Sequence, residues 1–237
     1  VGGNALEPRV PEDADLVLRH TRHDIGGESA RRARYGLSMA AGTSHYFDED
    51  PSTASRARVV ELVLPDLTVD LVSDRGVFAA DRVDVGTRYL LLEAPPLPEA
   101  AAHVLDLGCG YGAIARTLAH RAPQACVWAV DVNKRALALT RTNLTGLNAK
   151  VVAPTNMPAD IRFDTIWSNP PIRIGKAALH ELLSHWLDRL TPNGCAVLVV
   201  QKHLGADSLT RWLTEQGWDT ERLGSRSGYR LLHVEPR

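Results

Sequence analysis

The spacing of hydrophobic positions changes three times along this chain. Residues 1 to about 43 show no strand-like alternation, and Glu28-Ser29-Ala30-Arg31-Arg32-Ala33-Arg34 has the composition of a short, charged helix start. Two β-rich stretches follow, Ala57 to Leu64 and Leu67 to Val72, and the Pro65-Asp66 pair between them predicts a small hairpin. Gly86 to Leu92 reads as helix. Ala94-Pro95-Pro96-Leu97-Pro98 ends it, because proline fixes φ and removes an N–H donor.

From His103 onward, short apolar runs alternate with helix-length segments, the pattern of βαβ units around a parallel sheet covered on both faces. The runs place strands at Val104–Leu107, Cys126–Asp131, Lys150–Val152, Asp164–Trp167 and Ala196–Gln201, with a terminal pair near Asp219–Leu223 and Tyr229–Val234. Helices are expected at Ile114–His120, Lys134–Thr142, Ala177–Leu190 and Ser208–Gln216, the last stopped by Gly217. The result is an α/β fold in three parts. An extension covers residues 1–43, a β-hairpin lead-in with a linker helix covers 44–98, and the main domain covers 99–237. No internal repeat or low-complexity tract interrupts it.

Composition narrows the class without naming it. With 44% hydrophobic and 23% charged residues in 237, the chain is neither disordered nor fibrous. No apolar run approaches the roughly 20 residues of a membrane-spanning helix, and the first twenty residues lack the apolar core of a secretory signal, so the expected location is cytoplasmic. Cys109, Cys126 and Cys195 are odd in number and have no C-x-x-C spacing, which favours reduced thiols over a disulfide framework or a zinc site. The 27 basic and 28 acidic residues nearly cancel, so any nucleic-acid binding must come from a local patch. The nine histidines form no metal-ligand constellation, and the five tryptophans are expected in the core.

The chemistry lies at strand ends. The first strand of the main domain runs into Asp106-Leu107-Gly108-Cys109-Gly110-Tyr111-Gly112 and then into a helix. Glycines at such a turn let the backbone approach a ligand closely, and the helix start offers free N–H groups. The spacing is G-x-G-x-G with an acid two residues earlier, not the G-x-G-x-x-G of a dinucleotide site, which points to S-adenosylmethionine rather than NAD. Asp131 ends the next strand, where an acidic side chain can accept both ribose hydroxyls. Asn133, or Asp131 itself, could instead cap the helix that begins at Lys134.

The fourth strand ends in Ser168-Asn169-Pro170-Pro171-Ile172. Alone, Asn-Pro-Pro is a turn signal. At the carboxyl end of a strand beside the glycine loop, it becomes a candidate site. Rigid prolines can hold the Asn169 side-chain oxygen and a backbone carbonyl as two acceptors, and two acceptors match the hydrogens of an –NH₂ group on a planar ring or amide. Orienting and polarising such an amine towards an electrophilic methyl requires no histidine base.

DLGCGYG, VDVN and SNPPI, in that order, resemble the class I S-adenosylmethionine-dependent methyltransferases. Between about His45 and Val234 the resemblance is closer. His45-Tyr46-Phe47 before Pro51-Ser52, then Ser73-Asp74-Arg75-Gly76-Val77-Phe78, Val83-Asp84-Val85-Gly86, the Pro-Pro-Ile-Arg-Ile-Gly-Lys run and Gln201-Lys202 are similar to the small-domain ribosomal RNA guanine-N2 methyltransferases. Within these the chain looks like the single-domain Gram-positive branch of the small-subunit methyltransferase C group. The resemblance implies a Rossmann-like sheet of seven strands with the last antiparallel. It implies a cofactor site at Asp106, Gly108, Cys109, Gly110 and Gly112, with Asp131 and Val132 on the ribose and Thr155-Asn156-Met157 beside the adenine. Asn169, Pro170, Pro171 and Ile172 would hold the target amine, with Asn169 also facing the cofactor.

Two departures from the family pattern stand out. Ile172 occupies a position that is often aromatic for stacking on the base, which leaves Phe78 as a candidate, and the duplicate RNA-binding domain of larger members has no counterpart in the main domain. Arg173, Lys176, Lys202 and His203 crowd the strand ends near Asn169 and could hold phosphates, or could simply be solvated residues at helix starts. The expected partner is ribosomal RNA or a ribosomal subunit, with no metal and no membrane. An adenine-N6, protein-glutamine or small-molecule N-methyltransferase remains an alternative from the motifs, as does a non-catalytic cofactor-binding ribosome-assembly module.

Overall fold

A computed structural model describes residues 54–237, which hold nine strands and five α-helices. The expected extension 1–43 and the His45-Tyr46-Phe47 and Pro51-Ser52 segments lie outside the described residues. The hairpin forms as the alternation dictates. β1 (Arg58–Val63) pairs antiparallel with β2 (Thr68–Ser73), and Leu64 and Leu67 exchange both backbone hydrogen bonds around Pro65-Asp66. Val60, Leu62 and Leu71 turn inward, while Val59, 64% exposed, turns out. α1 (Val85–Glu93) follows, and its first turn is capped by Asp84, whose carboxylate accepts from the N–H groups of Gly86 and Thr87. Side-chain acceptors of this kind satisfy donors that a helix N-terminus otherwise leaves orphaned.

The main sheet is assembled from β3 (His103–Leu107), β4 (Cys126–Val130), β5 (Ala149–Val152), β6 (Phe163–Ser168), β7 (Leu190–Gln201), β8 (Asp219–Arg226) and β9 (Tyr229–Glu235). Its order is β5-β4-β3-β6-β7-β9-β8, parallel from β5 to β7, with β9 antiparallel to both of its neighbours. This is the seven-stranded, Rossmann-like sheet expected from the sequence. α2 (Ala113–Arg121), α3 (Lys134–Asn143), α4 (Lys176–Leu187) and α5 (Ala206–Glu215) complete the described helices.

Two hydrophobic clusters flank the sheet, which is why the parallel strands read as unbroken apolar runs. One joins Leu62 and Leu71 of the hairpin to Leu90 and Leu91 of α1, Ile114 and Leu118 of α2 and Val127 of β4. The other is built on Trp128, Phe163, Ile166, Leu183, Trp186 and Leu213. The hairpin and α1 therefore share a core with the sheet. Trp128, Trp167 and Trp186 are fully buried as expected, whereas Trp212 and Trp218 are only partly buried at the edge of the second cluster.

α4 ends at Leu187, earlier than the predicted Leu190, because Leu190 opens β7 opposite Phe163 and the Phe163 N–H donates to the Arg189 carbonyl. Backbone pairing with β6 takes those residues out of the helix. Among the described residues no helix is long and apolar enough to cross a membrane, and no three His, Cys, Asp or Glu side chains are placed to hold a metal.

Candidate active site

The sheet grows in opposite directions from β3 and β6, and in open α/β sheets ligands bind in the crevice outside the strand ends at such a switch point. A cavity of about 310 Å³ lies there, within the size range of small-ligand sites. Gly108 and Gly110 after β3, Asp131 and Val132 after β4, Pro154 after β5 and Asn169 to Arg173 after β6 form its wall. Phe78 and Asp84 before α1, Gln201 at the end of β7, Leu204 after it and Tyr229 at the start of β9 close it. One cavity thus collects side chains from both ends of the described sequence.

The glycine loop folds back on β4. Gly108 and Cys109 both donate their N–H to the Val130 carbonyl, and Gly110 donates to Asp131 Oδ2 at 2.9 Å. Gly108 and Gly110 have φ of 77° and 56°, and a Cβ at either would meet nothing within 4 Å, so the space above the loop is clear for a ligand. Asp131 Oδ1 accepts from the Asn133 N–H, while the Asn133 side chain caps α3 through the N–H groups of Arg135 and Ala136. The two roles left open by the sequence are divided: Asn133 caps, and Asp131 faces the cavity.

Beneath the loop Asp106 is 0% exposed. Its Oδ2 accepts from the Ala115 N–H at 2.9 Å, and its Oδ1 has no partner among the described residues. Burial pushes its pKa from 3.8 up to about 8, the Ala115 N–H opposes this, and the neighbouring Asp131 charge adds to it. Burial also raises Asp131, against three backbone N–H groups that favour its ionised form. Asp131, facing the cavity beside an open glycine loop, suits a ligand that brings hydroxyls.

The Asn-Pro-Pro segment is held from both sides. Asn169 Nδ2 donates to Asp84 Oδ2 at 2.9 Å and to Thr87 Oγ1 at 3.0 Å. Both amide hydrogens are spoken for, so the orientation of the amide is fixed and its Oδ1 remains the acceptor. Pro171 has φ −75° and ψ 75°, the centre of an inverse γ-turn in which the Ile172 N–H donates to the Pro170 carbonyl at 2.8 Å. That carbonyl keeps one lone pair for a ligand. Ile172 touches the cavity but leans on the second cluster.

Several residues read from the sequence do not reach the wall. Cys109 is buried against Thr140, and burial pushes its thiol well above its ordinary pKa. Gly112 starts α2, where a Cβ would meet Thr140 Cγ2 at 3.0 Å, so its smallness serves helix packing. Asn156 is exposed and Met157 is packed in the second cluster. The 3₁₀ turn Pro154–Asn156 presents Pro154 to the cavity instead. Arg173 lines the cavity, while Lys176, Lys202 and His203 are exposed beyond it.

In the sequence Asp84 and Gln201 stand out only as part of a resemblance, and nothing marks Thr87, Leu204 or Tyr229. One signal was present in Gly86, where a Cβ would sit 2.5 Å from the Tyr229 ring, so a glycine there marks an aromatic packed on the first turn of α1.

Residues 68–233 match the model of the methyltransferase small domain family, well over half of the chain. The chain belongs to this family. Uncharacterized protein YbxB of Bacillus subtilis is 32% identical over 199 residues, covering 81% of this chain and 98% of that protein. Ribosomal RNA small subunit methyltransferase C of Pseudomonas putida is 39% identical over 185 residues, covering 73% of this chain. The chain spans 55% of the length of that relative. Among solved structures, the T. thermophilus 16S rRNA guanine-N2 methyltransferase in complex with AdoMet and guanosine aligns with TM-score 0.65 and 26% identity, over 79% of this chain and 52% of that one. By family, by sheet order and by its likeness to that complex, the chain is a class I S-adenosylmethionine-dependent methyltransferase.

Proposed function

We propose that this protein methylates the exocyclic N2 amine of a guanine in ribosomal RNA. The observation that carries the reading is the fixed Asn169 amide, whose two hydrogens are taken by Asp84 and Thr87 so that its oxygen is left as an acceptor, in a residue that lines the cavity together with Pro170. The naming of the P. putida relative and the guanosine in the T. thermophilus complex support the choice of guanine and of RNA.

S-adenosylmethionine, when bound, supplies a methyl group on a positively charged sulfur. Gly108 and Gly110 let it approach the backbone, and Asp131 and Val132 receive its ribose. Across the cavity Asn169 Oδ1 and the Pro170 carbonyl accept the two N2 hydrogens, directing the nitrogen lone pair at the methyl carbon. A nitrogen–carbon bond forms as the sulfur–carbon bond breaks, and the amine then releases a proton to water, so no residue has to act as a strong base. Pro171 and Ile172 keep the acceptors rigid. Phe78 and Tyr229 provide the aromatic surface that Ile172 does not. In this reading residues 99–237 carry the reaction, and the lead-in of 44–98 completes the site through Phe78 and Asp84. Arg173, Lys176, Lys202 and His203 would meet phosphates.

The test is transfer of tritium from labelled S-adenosylmethionine to purified 30S and 50S subunits and to their naked RNA. Label in one RNA, found as N2-methylguanine after nuclease digestion and reduced at least about 100-fold in Asn169→Ala, is the expected result. Label in protein or in another base would overturn the reading.

A further inference from the structure

The two oxygens of Asp84 are used unequally. Oδ2 takes three donors: the Gly86 N–H at 2.8 Å, the Thr87 N–H at 3.0 Å and Asn169 Nδ2 at 2.9 Å. Among the described residues Oδ1 has only the Tyr229 hydroxyl, at 3.5 Å, well beyond the usual 2.5–3.0 Å for such a bond. A carboxylate has about four acceptor positions, so Oδ1 keeps capacity to spare. Asp84 lines the same cavity as Asn169 and Tyr229. Because Asn169 gives its nitrogen to Asp84, two hydrogen-bonded residues of the cavity wall keep two different acceptors, the amide oxygen and the carboxylate oxygen.

Few planar amines match two adjacent acceptors. In guanine the N2 amine and the N1–H are attached to the same ring carbon, so two donors stand next to each other. Adenine flanks its amine with an unprotonated ring nitrogen, as does cytosine, and a carboxamide flanks its –NH₂ with its own carbonyl. Each of these would set a lone pair against the Asp84 oxygen. A site built to hydrogen-bond one polar group rejects the analogue that lacks it far more strongly than an apolar pocket rejects an extra methylene.

The geometry points to Asp84 as the residue that selects guanine, through acceptance of the ring N1–H by its Oδ1 while Asn169 holds N2. The inference rests on the guanine-N2 reading above and names the contact that makes the site prefer guanine. It also gives Tyr229 a place, since its hydroxyl can donate to Oδ1 before the base arrives and its ring borders the same space.

The test uses 2-aminopurine, which keeps the exocyclic amine of guanine but carries a lone pair at N1. Once digestion has located the labelled guanine, the RNA is rebuilt by splinted ligation with either base at that position. The wild-type protein is expected to methylate guanine at least about 100-fold faster than 2-aminopurine. Asp84→Asn keeps an oxygen for the Gly86 and Thr87 N–H groups, and asparagine is as good a helix cap as aspartate. Its amide nitrogen then faces the cavity as a donor. The variant should lose guanine methylation while its rate on 2-aminopurine holds or rises, which cuts the ratio at least tenfold.

Equal loss on both bases would assign Asp84 a merely structural role and overturn the proposal. So would a wild-type protein that uses 2-aminopurine within tenfold of guanine, a result that does not depend on the variant folding. Label that never appears in guanine would overturn the functional reading itself, which separates the two failures.

Discussion

Asp106 is the residue whose environment contradicts its chemistry most sharply. A carboxyl group that ionises near pH 3.8 when exposed holds its proton to about pH 8 in the fold, first because it is buried. The sign of the stability effect follows from proton counting. Between those pH values the unfolded chain has lost the proton and the folded chain retains it, so stability falls as pH rises through that window. Asp106→Asn removes the titration while leaving an oxygen for the Ala115 N–H. Without ligand, the Tm of the variant relative to wild type should rise from pH 5 to pH 8, by several degrees at about 2–4 °C per kcal/mol for a domain of this size. A difference that stays flat over that range, measured by scanning calorimetry, would remove Asp106 as an ionisation site.

At the scale of elements, one side chain of α3 bonds the hairpin backbone on both its N–H and its carbonyl. Asn143 Oδ1 accepts from the Val72 N–H, and its Nδ2 donates to the Val72 and Tyr111 carbonyls at 2.8 and 2.7 Å. Asn143→Ala leaves these part-buried backbone groups without that partner, at a cost of about 1–3 kcal/mol. Urea unfolding should register that loss, and hydrogen exchange in β2 should quicken more than exchange in β6. Equal quickening in both strands would mean that the hairpin does not open separately. The elements themselves were largely legible in the sequence, because strands covered on two faces must be apolar throughout and the glycine, Asp131 and Asn-Pro-Pro signals all fall at their ends. The start of β7 was not. Thr191-Pro192-Asn193 looks like a turn, yet it lies within β7 at the register shift between Leu190, opposite Phe163, and Cys195, opposite Thr165. Asp84 and Tyr229 were hidden for a related reason: they lie far from Asn169 in the chain and meet it only because α1 and β9 are both packed beside β7. No local pattern encodes such a meeting.

Charge is a property of the whole molecule, and at this scale the protein is an unusual candidate for an RNA enzyme. A formal net charge of −1 gives no general attraction to phosphate, so binding must come from where the cations stand. Arg173 follows β6, Lys176 opens α4 and Lys202 follows β7, all exposed and all at the strand ends that frame the cavity. If these three contact phosphates of a single-stranded region, each contributes about 0.7 to the slope of log K against log salt, together about 2. Replacing all three by glutamine should lower the slope by that amount between about 50 and 200 mM salt and weaken RNA binding most at the low end. Affinity for S-adenosylhomocysteine should not change when Lys176 and Lys202 alone are replaced, because neither lines the cavity, whereas Arg173 does. An unchanged slope would relocate the RNA contact to another surface. A slope reduced by far more than 2 would mean that the substitutions disturb the Asn169 segment itself, and the loss of methyl transfer at saturating RNA would reveal that disturbance independently.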